Sequence, residues 1–133
     1  RLWKGHAPVR AVMDRKLSLP PHLHLFDQSQ PTLVFNETME GANSNNHFLK
    51  LNFNESIPKQ ITEKLFELNL NSLLVEGGPQ LLQSIIDANL WDEVRIFSSD
   101  RRLYKGIQAP VLNVTPVHQE IIDNDMLLIS YNL

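Results

Sequence analysis

Residues 72–97 read SLLVEGGPQLLQSIIDANLWDEVRIF, and the fold turns on how this stretch divides. Ser72–Glu76 is a short apolar run closed by a carboxylate, the pattern of a strand covered on both faces. Gly77 and Gly78 break it. Pro79 then suits the first turn of a helix, where its missing N–H costs nothing. Leu81, Leu82, Ile85 and Ile86 recur at helical spacing, with Asn89 near the end, and Val94–Ser98 reads as the next strand. Strand, helix, strand in this order calls for a parallel sheet with right-handed crossovers.

Upstream, Pro8–Asp14 alternates like a strand and leaves through the polar triplet Asp14-Arg15-Lys16. Leu17–Pro31 holds three of the eight prolines and reads as a long surface connection. Thr32–Phe35 is a second two-sided strand, Glu40–His47 a polar loop, and Phe48–Phe53 an alternating strand. Ser56 is placed to cap a helix with Pro58 in its first turn. Ile61, Leu65, Phe66 and Leu68 supply its apolar face, and Asn69–Asn71 ends it. Downstream of Gly106 and Pro110, strands are expected over Val111–Val114, Glu120–Ile122 and Met126–Tyr131, with a turn at Asp123-Asn124-Asp125. No helix separates them, so they pair antiparallel. The expected class is α/β: a mainly parallel central sheet with flanking helices, finished by antiparallel C-terminal strands.

The 133 residues suffice for one domain, and 42% hydrophobic with 20% charged residues is a globular balance. A net charge of −3 offers no basic field for nucleic acid. The absence of cysteine excludes disulfides, thiolate metal ligands and cysteine nucleophiles from the chain and suits the cytoplasm. No apolar run is long enough to span a membrane, and RLWKGHAPVR has no signal-peptide core. The sequence does not begin with Met and is expected to be cut from a longer chain. Glycosylation triplets at Asn36, Asn54 and Asn113 read as coincidence without a secretory signal.

Three places could carry chemistry. At the Val75–Pro79 corner, a helix start offers unpaired N–H groups and a dipole end, and two glycines let an anion approach and make positive φ available. The same corner is equally a plain tight turn. Glu76, at the strand tip, can accept hydrogen bonds from a substrate or can serve as a cap or ion-pair partner. Arg15 and Lys16, beyond another strand, could receive a phosphate or simply be solvated, and Arg101, Arg102 and Lys105 allow the same two readings. His22 and His24 lack a third ligand at metal spacing, and no nucleophile elbow or zinc-helix motif occurs, so no metal is expected.

PVRAVMDRKLSLP, TLVF, SLLVEGGPQLLQSIIDANLWDEVRIF, GIQAP and the closing DNDMLLISY, in this order, resemble one family. It is the reductase domain of the bifunctional riboflavin-biosynthesis deaminase/reductase, the RibD family, which has a dihydrofolate-reductase-like fold. The resemblance covers nearly the whole chain, and E-G-G-P followed by a D-E-x-x-I/L strand is its most specific part. It implies an NADPH-dependent reduction, in which hydride reaches the ribosyl C1′ of 5-amino-6-(5-phosphoribosylamino)uracil and yields a ribitylamino product.

By position, Glu76 matches a substrate-contacting glutamate. Gly78, Pro79, Gln80, Leu81, Leu82, Gln83 and Ser84 match the segment that cradles the NADPH pyrophosphate. Arg15 matches a position on the adenosine side of the cofactor, where a 2′-phosphate gives an arginine a purpose. Arg1 is set against the arginine of a D-x-P-x-L-T-x-R segment that binds the substrate phosphate. No side chain is assigned as catalytic.

The family's first strand, its helix and that loop precede the residues present, so residues 1–133 are expected to be one partial reductase domain, inactive by itself. The resemblance further implies a homodimer and a covalently linked zinc deaminase domain, whose cysteines this chain does not hold. Two other functions stay open: another dihydrofolate-reductase-like NADPH-dependent reductase, and a non-catalytic nucleotide-binding or assembly domain.

Overall fold

The apolar run Thr32–Phe35 becomes the centre of a sheet. The structure, a computed structural model, describes residues 5, 7–101 and 104–133. It forms two compact units, Arg1–Asn71 and Ser72–Leu133.

In the first unit, strand β2 (Thr32–Asn36) is buried at every residue. It lies between β1 (Arg10–Met13) and β4 (Asn46–Lys50), parallel to both, and β3 (Gly41–Asn43) pairs antiparallel with the outer edge of β4. A strand with ladders on both edges and cover on both faces has no use for alternation, which is why TLVF reads as an unbroken apolar run. Leu33, Val34 and Phe35 form the core with Leu51 and with Ile61 and Leu65 of helix α1 (Ile57–Glu67).

Three expectations change here. The polar stretch Glu40–His47 is not a loop but most of a hairpin, β3 turning through Ser44-Asn45 into β4. Ser44 takes a φ of 56°, and the edge strand is exposed, so neither turn nor strand needs apolar residues. The strand expected over Phe48–Phe53 ends at Lys50. On α1, Phe66 is 76% exposed and Leu68 is also out. Phe66 follows Leu65 directly and so points about 100° away from the Ile61–Leu65 stripe. Pro58 sits in the first turn as the sequence predicts, while Ser56 occupies the N-cap position without a side-chain cap bond.

Arg10 fastens the long connection to this sheet. Its Nε donates to Thr32 Oγ1 (3.0 Å), Nη1 to the carbonyl of His24 (2.7 Å), and Nη2 to Asp27 Oδ1 (2.9 Å) and the carbonyl of Gln30 (3.1 Å). Asp27 also accepts from the hydroxyl and the N–H of Ser29 at 2.6 and 3.0 Å. These Ser29 bonds, with the Arg10 guanidinium, hold the Asp27 carboxyl well below the usual carboxylate range. A lowered folded-state pKa contributes stability above the ordinary value of about 4, and that stability is lost as pH falls toward the folded value. Denaturation midpoints should therefore decline with acid below about pH 4, and Asp27→Asn should flatten that limb relative to its own neutral-pH midpoint. An unchanged acid limb in the variant would show that Asp27 does not drive it.

In the second unit, β5 (Glu93–Ser99), β6 (His118–Ile122) and β7 (Asp125–Tyr131) form an antiparallel sheet in the order β5-β7-β6. The β6–β7 turn uses Asp123 at a φ of 54°, at the expected place. Helix α2 (Pro79–Asp87) starts at the expected proline, with Gly78 as its N-cap residue. Both helices end alike. Asn69 and Asn89 take φ of 57° and 54°, and each is bracketed by the two back-directed N–H bonds of a Schellman motif.

The expected strand Ser72–Glu76 is not one, since no described strand pairs with it, and Leu73 and Leu74 are exposed. An apolar run shows readiness for a ladder but does not name a partner. Val111–Val114 is likewise outside any described ladder, the backbone of Val111 being held by the Gln83 amide. Accordingly, neither α1 nor α2 links two paired strands. The two parallel pairs are joined instead by the connection through residues 14–31 and by the β3 hairpin.

Candidate functional site

Three strand ends that are far apart in sequence close around one cleft. β1, β2 and β4 are parallel, so their carboxyl ends lie at the same edge, where open α/β sheets bind ligands. The cleft there has a volume of about 540 Å³, within the range of small-molecule sites.

Each wall is set by its own turn. After β1, the buried Asp14 does not face the cleft with a free carboxylate. Its Oδ1 accepts from the N–H and hydroxyl of Ser18 and its Oδ2 from the N–H of Leu19, all within 3.3 Å. Leu17, at a φ of 53°, returns its N–H to the Asp14 carbonyl. Asp14 thus spends its charge on the turn that carries Arg15.

After β2, Asn36 is fully buried. Its amide donates to the carbonyls of Val34 and Met39, and its oxygen accepts from Thr38 and Met39. That knot presents Glu37. After β4, the chain turns through Leu51–Asn54, and the Gln60 amide holds the backbone of Asn52 from both sides at 2.8 and 2.9 Å.

Backbone bonds tie the three ends together: Asp14 N–H to the Phe35 carbonyl, Glu37 N–H to that of Arg15, and Leu51 N–H to that of Asn36. On this floor, Arg15 Nε donates to Glu37 Oε2 at 2.7 Å, and the guanidinium lies 4.6 Å from the centroid of the Phe53 ring. Nη1 and Nη2 make no hydrogen bond among the described residues, which leaves the two-nitrogen edge of the fork for a ligand. Lys50, Asn52 and Asn54 complete the polar lining. Two cations, one carboxylate, side-chain amides and an aromatic face suit an anionic ligand with a flat ring system.

Of the described cleft residues, sequence reasoning offered only Arg15 as a ligand-binding side chain. Glu37, Lys50, Asn52 and Phe53 belong to no motif. Position gives a signal only for Glu37, just past the apolar run Thr32–Phe35, whereas Lys50, Asn52 and Phe53 fall within the alternating run Phe48–Phe53.

The second group of site residues lies in the other unit. A cavity of about 360 Å³ is lined by Gly78, Pro79, Gln80, Leu81 and Ile107. Neither glycine of the corner uses a left-handed φ, so that reason for them fails. A Cβ on Gly78 would meet nothing within 4 Å, and one on Gly77 only Leu81 Cδ2 at 3.5 Å, leaving open approach as their contribution. Leu82 is half-buried. Gln83 spends its amide on Val111 and Asp87, and the Ser84 hydroxyl donates to the Leu81 carbonyl at 2.7 Å. Glu76 is exposed in the extended segment before α2. Arg1 lies outside the described residues.

Among the described residues, no group of three or more metal-ligating side chains is placed to hold an ion. No described helix is long and apolar enough to cross a membrane.

Comparison with known proteins places the chain in a family. The family model described as "RibD C-terminal domain" matches residues 1–128. Riboflavin biosynthesis protein RibD of Synechocystis sp. is 29% identical over 143 residues, covering 93% of this chain and 39% of that protein. RibD of Aquifex aeolicus is 25% identical over 119 residues, covering 86% of this chain and 33% of that protein. Among solved structures, a Thermotoga maritima diaminohydroxyphosphoribosylaminopyrimidine deaminase/5-amino-6-(5-phosphoribosylamino)uracil reductase superposes with a TM-score of 0.82 at 26% identity. The superposition covers all of this chain and 40% of that one. The chain thus spans about two-fifths or less of the relatives it matches. The mixed α/β arrangement is the dihydrofolate-reductase-like one that the sequence resemblance implied. With a family match over nearly its full length and a superposition over all of it, this chain belongs to the RibD C-terminal domain family.

Proposed function

We propose that the chain forms the cofactor-binding part of a riboflavin-biosynthesis reductase that uses NADPH to reduce 5-amino-6-(5-phosphoribosylamino)uracil to its ribitylamino product. The observation that carries this reading is the cleft beyond β1, β2 and β4, with the open edge of the Arg15 guanidinium inside it. Arg15, with Lys16 beside it in sequence, receives the 2′-phosphate of the cofactor's adenosine. Phe53, already a platform for Arg15, and the Asn52 and Asn54 amides offer a face and hydrogen-bonding groups to the adenosine. Gly78–Ser84 hold the pyrophosphate through the first turn of α2, where Gly78 and Pro79 leave backbone approach open. Glu76 orients the pyrimidine, and Arg1 binds the substrate phosphate.

When bound, the dihydronicotinamide supplies the hydride for ribosyl C1′. The protein's part is to bind the charged ends and fix their geometry, where most of the rate advantage of such a site lies. Residues 1–133 form one part of a single reductase domain, linked in the whole protein to a zinc deaminase domain, in a cytoplasmic homodimer.

The test is direct. The full-length protein, given NADPH and the phosphoribosylaminouracil, should consume the nicotinamide absorbance with matching formation of the ribitylamino product. Glu76→Gln should lower kcat/KM about 10- to 100-fold while leaving NADPH affinity within about 3-fold, as expected for a lost charge-assisted bond to substrate alone. Binding of NADPH without turnover would instead favour a nucleotide-binding or assembly role. Turnover with a different pterin-like or pyrimidine substrate would favour another reductase of the same fold.

A further inference from the structure

We propose that Glu37 sets the cofactor preference of the cleft, lowering its selectivity for a 2′-phosphate over a 2′-hydroxyl. The proposal rests on the reading of the cleft as the adenosine site and deepens it. Glu37 follows β2 directly and meets Arg15 at 2.7 Å through Oε2 only. Its Oε1 accepts no hydrogen bond among the described residues. A carboxylate at a strand end, beside a nucleotide pocket, accepts from ribose hydroxyls and repels a phosphate at the same place. Here it sits against the guanidinium that would meet the phosphate, so any group on the Nη edge of Arg15 also feels the Glu37 charge.

Two effects of Glu37 can be separated. Its hydrogen bond to Nε holds the guanidinium over the Phe53 ring, which helps either nucleotide. Its negative charge offsets one of the two cations lining the cleft, Arg15 and Lys50, and this penalises only the ligand that brings extra negative charge. Lys50 forms no ion pair among the described residues and remains as the second cation. The side chain of Glu37 is only 27% exposed, so solvent screens its charge incompletely. Arg15 alone would make the cleft strictly selective for a phosphate. Arg15 with Glu37 makes it a compromise site that also accepts the unphosphorylated ribose.

Glu37→Gln keeps the size and the acceptor for Nε and removes the charge. The probes are adenosine 2′,5′-bisphosphate and 5′-AMP, titrated calorimetrically into the full-length protein, so that neither hydride transfer nor substrate enters. The variant should raise the ratio of bisphosphate to monophosphate affinity about 5- to 10-fold, the scale of removing one partly screened like charge. Glu37→Ser, which removes the same charge by a different shape, should raise the ratio as well and guards against poor folding of either variant. Arg15→Ala separates the two levels of the reading. If it leaves bisphosphate affinity unchanged, the cleft is not the adenosine site and the functional reading of it falls. If it costs affinity while the folded Glu37 variants leave the ratio unchanged or lower it, the role given to Glu37 alone is wrong.

Discussion

Arg15→Ala should weaken NADPH binding about 30- to 100-fold while NADH loses no more than about 3-fold. The difference comes from what each cofactor gives up. A bidentate guanidinium–phosphate contact is a charge-assisted pair of hydrogen bonds, worth about 2–3 kcal/mol when the nitrogens are preset. Here Glu37 and the Phe53 ring preset them. The side chain of Arg15 is 56% exposed, so screening keeps the figure at the low end of that range and makes it fall with added salt. NADH lacks the 2′-phosphate and loses only packing against the arginine. Arg15→Lys should lie between, because an ammonium keeps the charge but not the two-pronged geometry. Fluorescence titration of both cofactors against the full-length protein measures all of this. Equal losses for NADPH and NADH would sink the assignment.

The largest effect on stability should come from Asn36→Ala, about 3–4 kcal/mol. Asn36 is 0% exposed, and its amide serves two backbone carbonyls while its oxygen serves two backbone N–H groups and a hydroxyl. Removing it leaves the buried Val34 carbonyl without this donor, opens a void at a fully buried position and unties the turn through Thr38 and Met39. A stranded buried group alone costs about 1–3 kcal/mol before relaxation. Asn36→Asp should not rescue the fold, since a carboxylate cannot donate to Val34 and Met39 and would bring a buried charge. Hydrogen exchange of the β2 amides, followed through urea denaturation, reads the change. A loss below about 1 kcal/mol would mean that the turn after β2 rearranges cheaply.

The sequence announces some of this plainly and hides the rest for physical reasons. TLVF and the Pro58 and Pro79 helix starts are legible because burial on two faces and a missing N–H are local requirements. EGANSNNH hides a hairpin because an exposed edge strand asks nothing of its side chains beyond a turn. SLLVE misleads in the opposite direction, being strand-like in composition yet outside any described ladder. Pairing is a property of two segments, and one segment carries half the information.

The cleft shows the same limit. Arg15 is visible as a cation after a strand, but Glu37, Lys50 and Phe53 become neighbours only when the order β1-β2-β4 is known. The residues themselves marked Arg15 and the corner before α2, and the family resemblance gave them roles. It supplied nothing at residue 37, where the structure shows the arginine's partner.

The cross-linked strand ends have a consequence for how this protein can change. The floor of the cleft is held by backbone bonds and by buried Asn36 and Asp14, none of which depends on the side chains at 15, 37, 50 or 53. Those four positions are free to vary in charge and shape while the floor stays folded. Preference between closely related nucleotides can therefore drift by single substitutions, in nature or in the laboratory, without passing through an unfolded intermediate.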